Sequence, residues 1–206
     1  IYQETEGIAF AIVGAILFVL GISVSYNQPV KKNIYAREGF VIVALSWILI
    51  SIFGALPFYI TGEISSFIDA FFEMVSGFTT TGSSILNDIE ALSHASLFWR
   101  SFSHWLGGMG ILVFVIAFIP ISSGRSLHIL KAEVPGPVVG KLVSKIRLTA
   151  RILYIIYAIL TLVETFLLLF GGMPLFDSLL NSFGTAGTGG FAIKNASIAA
   201  YDSVYV

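Results

Sequence analysis

Residues 69–84 read DAFFEMVSGFTTTGSS: an amphipathic segment of about four turns that runs directly into three threonines and a glycine. Shifted by 108 positions, the stretch returns as residues 177–192, DSLLNSFGTAGTGGFA. Asp69 then falls on Asp177, Thr80 on Thr188, Gly82 on Gly190, Ile85 on Ile193 and Asn87 on Asn195. The chain therefore holds two copies of one unit, and a repeat of this kind governs the reading of everything around it. Each copy lies between long apolar runs, where a polar, glycine-bearing segment is unsuited to face lipid.

The composition explains those runs. With 56% hydrophobic and 11% charged residues and a mean hydropathy of +0.91, the chain carries more apolar surface than a soluble domain of 206 residues can bury. A bilayer is its solvent, and the class is an all-α membrane protein. A net charge of −1 gives no reason to expect a nucleic-acid partner. The absence of cysteine removes disulfides, thiolate metal sites and cysteine nucleophiles together.

Working outward, the spacing predicts spanning helices over Gly7–Ser25, Gly39–Ile60, Leu97–Pro120 and Ala150–Gly171, each long enough to cross about 30 Å of hydrocarbon. The first is not a signal peptide, because Glu4 and Glu6 precede it in place of a basic flank. Ile1 in place of a starting methionine suggests a fragment. Ser66 followed by Asp69 marks the start of a short helix ending near Phe78, and Pro174 ahead of Asp177 suits the first turn of its counterpart, ending near Thr185. The units are accordingly 1–34 (an extra transmembrane helix and link), 35–121 (one complete helix–short helix–helix unit), 122–149 (a loop) and 150–206 (most of a second unit).

Nine of the 11 basic residues, from Lys31, Lys32 and Arg37 to Arg125, Lys131, Lys141, Lys145, Arg147 and Arg151, fall in the connections after the first and third spans. The positive-inside rule makes those connections cytoplasmic, so both repeat units open to the outside. Backbone that is not helical at membrane depth must be buried or line a wet cavity, so Thr79–Ser83 and Gly187–Phe191 are expected to return as extended backbone facing a pore. Glycine permits carbonyls to turn inward, and threonine adds hydroxyl oxygens. Rings of such oxygens replace a cation's hydration shell, with the carboxyl ends of the short helices pointing at the same spot. The cargo implied is a small bare cation, with no covalent step and no cofactor.

Six stretches carry a family resemblance: REGF (37–40), GALPF (54–58), DAFFEMVSGFTTTGSS (69–84), HWLGGMGILV (104–113), KAEVPGP (131–137) and TGGF (188–191). From about Tyr35 onward the chain resembles the membrane subunit of the bacterial Trk-type potassium uptake systems, within the wider Trk/Ktr/HKT group. That resemblance implies a potassium-channel-like fold of repeated helix–pore-helix–helix units around one pore, each giving one filter strand with a central glycine. The filter residues would be Thr80, Thr81, Gly82 and Ser83 in one unit and Thr188, Gly189, Gly190 and Phe191 in the other. Glycine at both 82 and 190 favours potassium over the sodium-selective members, in which one filter glycine can be serine. The family also implies the bacterial inner membrane, a homodimer when full length, and a cytosolic, TrkA-like nucleotide-binding regulatory subunit as partner.

Against that pattern, two filter strands cannot surround an ion as four do, so the chain by itself is expected to conduct nothing and reads as the amino-terminal half of a transporter subunit. The competing readings are a truncated, nonconducting scaffold, a Ktr-like sodium-dependent potassium or sodium/potassium transporter, and an intramembrane enzyme resting only on Glu164 and the histidines. Glu164, within the fourth span, reads as a structural hydrogen bond or interface position ahead of an ion-pathway group. Gly107, Gly108 and Gly110 read as close helix packing, and Arg100 as a snorkelling anchor that could instead pair with Glu73 or Asp69. His94, His104 and His128 lack metal-ligand spacing, and no phosphate-binding glycine loop occurs.

Overall fold

A run of apolar residues without a glycine-proline break forms helix α1, Glu6–Tyr26, in the computed structural model, which describes residues 5–26, 36–110, 146–203 and 205. Only Ala9 and Val13, one turn apart on the face toward α2 (Ala36–Thr61), are buried along α1. Ile12, Ile16, Phe18 and Val19 stand exposed. Apolar surface on this scale has no counterpart on a soluble monomer and is what a helix in lipid presents. Three described helices are long and apolar enough to span: α1, α2 and α5 (Ile146–Phe170).

Helix α2 ends where its chemistry dictates. Pro57 lies in its last turns, and the Thr61 hydroxyl donates back to the Pro57 carbonyl at 2.9 Å. Gly62 follows with φ +76, the left-handed turn that ends helices most cheaply when no Cβ is present. The chain then enters the short helix α3, Phe67–Phe78, with Ser66 as its N-cap accepting from the Asp69 N–H, as the sequence predicts. Ala55, Phe58, Ala70, Met74 and Phe78 form the apolar contact between α2 and α3. Gly54 permits it, since a methyl there would sit 3.0 Å from Met74.

Helix α4, His94–Gly108, starts three residues ahead of the expected Leu97; positions 111–120 of that expected span lie outside the described residues, as do His128 and most of the 122–149 loop. Its start is tied to the end of α2, because Glu63 accepts the Ser93 N–H at 2.6 Å and also the Ser96 hydroxyl. After α5 the chain turns at Gly172 (φ +90) into a second short helix, α6, Leu175–Ala186. Pro174 occupies the N-cap rather than the first turn, and no side chain caps α6; the Ser178 hydroxyl instead donates to the Pro174 carbonyl. Both short helices have 12 residues, about 18 Å of rise against about 30 Å of hydrocarbon. They can enter a bilayer but not cross it.

Helix α4 packs against both α3 and α6, with α2 outside α3 and α5 outside α6. On α5 the buried stripe is Ala150, Tyr154, Thr161 and Thr165, at helical spacing, and it meets α4 through a bond from the Trp105 indole to the Thr161 hydroxyl at 3.0 Å. Among the described residues there is no strand, and the fold is an all-α membrane architecture.

Candidate functional site

Each short helix runs into its Thr/Gly segment through the same sequence of backbone signs. Thr79 (φ −85) is followed by Thr80 at +54 and, two residues on, Gly82 at +77; Gly187 (φ −71) is followed by Thr188 at +61 and Gly190 at +73. Positive φ thus recurs at every second residue, which interrupts the continuous extended backbone expected from the sequence. Its cause is the unsatisfied carbonyls that end every helix. The N–H groups of Thr79, Thr80 and Thr81 turn back to the carbonyls of Val75, Gly77 and Ser76, and those of Gly187, Thr188 and Gly190 to Phe183, Thr185 and Gly184, at 2.8–3.2 Å. In a trans peptide the C=O points opposite to the N–H. The carbonyls of Phe78, Thr79 and Thr80, and of Ala186, Gly187 and Gly189, are therefore turned away from the helix ends.

The two segments meet. A Cβ on Gly82 would overlap the Gly189 carbonyl oxygen, so Gly82 is required both by its left-handed φ and by that contact. Gly190 needs glycine for φ alone, since a Cβ there would meet nothing within 4 Å. The end of α4 lies against the bases of both segments: a Cβ on Gly107 would strike the Phe78 carbonyl, and one on Gly108 would sit 2.9 Å from the Gly187 Cα and 2.5 Å from the Tyr157 hydroxyl. These glycines serve close approach, as expected, and what they approach is the Thr/Gly backbone itself.

Arg100 is not a snorkelling anchor. It is 1% exposed, and its Nε bonds Glu73 Oε1 at 2.5 Å. Burying a cation is tolerable only with a partner and with its donors used. Arg100 has both: Nη1 donates to the Ala192 carbonyl at 2.7 Å, and the guanidinium lies 3.6 Å from the Phe191 ring centroid. Glu73 in turn accepts the Ser84 hydroxyl at 3.0 Å and the Ile85 N–H at 3.0 Å. One ion pair thus ties α3 and α4 to the far ends of both segments. The remaining lone pairs of a buried carboxylate are satisfied by the chain it holds in place.

Beyond the segments, Asn195 accepts from the Ile89 N–H and donates to Asp88 (2.9 and 2.7 Å), while Lys194 and the Asn195 N–H engage Glu90. Tyr201 donates to Asp177 at 2.7 Å, and burial together with that bond pushes its hydroxyl above the ordinary tyrosine range. In the last turn of α6 the Thr185 hydroxyl donates to the Asn181 carbonyl at 3.1 Å. His94 and His104 belong to α4, and His104 is fully buried against Phe191 with a ring separation of 4.0 Å.

Of the eight residues expected at the site, Gly82 of one segment meets the Gly189 carbonyl of the other, and Gly189 lies close to the Thr80 carbonyl; a Cβ on Gly190 would meet nothing within 4 Å. The Phe191 ring is buried beneath Arg100 and His104. Sequence reasoning did not weigh His104 as a neighbour of the segments, nor the clasp at Asn195. One signal was present: Asn87 and Asn195 recur at the repeat spacing.

Spanning helices, paired short helices that cannot cross, and two Thr/Gly segments in contact at Gly82 and Gly189 define a membrane protein with re-entrant segments. The family model described as "TrkH: Cation transport protein" matches residues 6–206, and the chain belongs to that family. It is 39% identical over 206 residues to the Trk system potassium uptake protein TrkH of Salmonella typhimurium, covering 98% of this chain and 43% of that protein. To the Trk system potassium uptake protein TrkG of Escherichia coli it is 34% identical over 210 residues, covering 100% and 43%. The crystal structure of the potassium transporter TrkH from Vibrio parahaemolyticus superposes with a TM-score of 0.78 at 33% identity, over 99% of this chain and 41% of that one. The chain thus spans less than half the length of these relatives.

Proposed function

We propose that the chain supplies two filter strands of a potassium-translocating subunit in the bacterial cytoplasmic membrane, opening to the external side. One observation carries the reading: in each of two segments at the repeat spacing, three N–H groups bond the end of a short helix, which turns the carbonyls of those peptides the other way. Carbonyls so fixed can replace the water around a bare cation without reorganising as it enters. Thr80, Thr81, Gly82 and Ser83, with Thr188, Gly189, Gly190 and Phe191, are assigned to that lining. The relatives' names favour potassium as the ion. Their greater length supports further units that complete the ring, and the family resemblance adds a homodimer and a cytosolic nucleotide-binding partner. Potassium-dependent growth of a bacterium lacking its own uptake systems tests the reading. Rescue is expected from a full-length gene that includes this sequence and not from the 206-residue chain. Failure of the full-length gene to rescue contradicts potassium uptake, and rescue by the short chain contradicts the need for further units.

A further inference from the structure

The two segments reach the same backbone with different side chains. In the first, the Thr79 hydroxyl donates to the Val75 carbonyl at 2.7 Å and pairs with the Thr81 hydroxyl at 2.8 Å. The corresponding positions of the second, Gly187 and Gly189, have no side chain. That space is filled from α4. A Cβ on Gly187 would lie 2.6 Å from the His104 carbonyl, and one on Gly189 would overlap the His104 Nε2 and lie 2.9 Å from the Thr80 carbonyl oxygen.

His104 is 0% exposed, packs on Phe191, and among the described residues has neither ring nitrogen hydrogen-bonded. A buried imidazole without partners is costly. Its Nε2 occupies the place where a side chain on Gly189 would stand, a point that is also close to the Thr80 carbonyl oxygen.

We propose that His104 is a positioning residue for selectivity, its imidazole standing in for the side chain that Gly189 lacks and fixing the Gly189 backbone beside the Thr80 carbonyl. This rests on the filter reading above. The ring does not touch the ion; it acts through the backbone on either side of it.

The test uses the full-length transporter, with potassium and sodium transport kinetics measured at matched membrane abundance. His104→Ala is expected to raise KM for potassium and to lower the potassium-over-sodium preference about tenfold, with maximal rate less affected. His104→Asn, which keeps a polar group but not the ring, serves if the alanine variant fails to reach the membrane, and is expected to shift preference in the same direction. Gly189→Ala alone is expected to lose preference by collision with the imidazole, and His104→Ala with Gly189→Ala to recover part of it. That coupling is one a general packing defect does not produce. If His104 variants and Gly189→Ala leave preference unchanged, or the double variant is merely additive, while Gly190→Ala degrades preference, the His104 proposal is overturned and the filter reading stands. If Gly190→Ala also leaves preference unchanged, both fall.

Discussion

Thr79 and Thr81 of the first segment correspond to Gly187 and Gly189 of the second, yet the order of backbone signs is the same in both. The first segment braces itself with hydroxyls, and the second is braced by its neighbour helix. Backbone geometry here is set chiefly by the N–H bonds to the helix ends, which the two copies share. Side chains then stiffen that geometry by whatever route each sequence allows. The glycines divide in the same way: Gly82 is enclosed by the opposite segment, while Gly190 faces open space among the described residues.

The largest effect is expected where the copies are joined. Glu73→Ala or Arg100→Ala strands a buried charge and is expected to cost about 3–5 kcal/mol, seen as lost membrane abundance and a lowered melting temperature in detergent. Replacing both residues by apolar ones is expected to recover much of that stability while leaving the ends of the segments loose. If either single replacement is silent, the ion pair does not bind the two segments together.

Next come Gly82 and Gly190, the glycines assigned to the proposed filter, and here the copies should part. Gly190→Ala carries only the strain of a left-handed alanine, about 1–2 kcal/mol, whereas Gly82→Ala adds a collision with the Gly189 carbonyl. Gly82→Ala is therefore expected to reduce abundance more than Gly190→Ala at equal loss of potassium preference. Equal abundance for the two breaks the claim that the segments touch.

Smaller still is Thr79→Val, which removes one hydroxyl bond and is expected to cost about 0.5–1.5 kcal/mol. Adding Thr81→Val should cost little more, because the two hydroxyls act as a pair. The smallest effect belongs to Lys194→Ala at the exposed contact with Glu90, expected to cost about 0–1 kcal/mol and less as salt is raised. A salt-independent loss there indicates a role other than the ion pair.

Much of the architecture is legible in the sequence because lipid simplifies the code. Long apolar runs give α1, α2 and α5 to within four residues at each end, and Ser66 with Asp69 marks α3. What stayed hidden needed the third dimension. Arg100 lies near the end of a span, where snorkelling is the ordinary fate of a cation, and residue types alone do not choose between that and the pairing with Glu73 or Asp69 that the sequence also allows. Only the packing of α3 on α4 turns Glu73 toward it. Thr80 and Thr188 carry positive φ that threonine normally avoids, and no pattern of residue types announces it. It follows from bonds to helix ends whose position depends on the fold. Glycines 82 and 190, by contrast, advertise their conformation at once.

The most direct test of the account is the potassium-to-sodium transport ratio of the full-length protein carrying Gly190→Ala, at membrane abundance equal to that of the unsubstituted protein. A fall in potassium preference with transport retained is the result expected if the turned carbonyls select the ion. An unchanged ratio, with alanine or a bulkier residue at 190, contradicts the assignment of these segments as a filter.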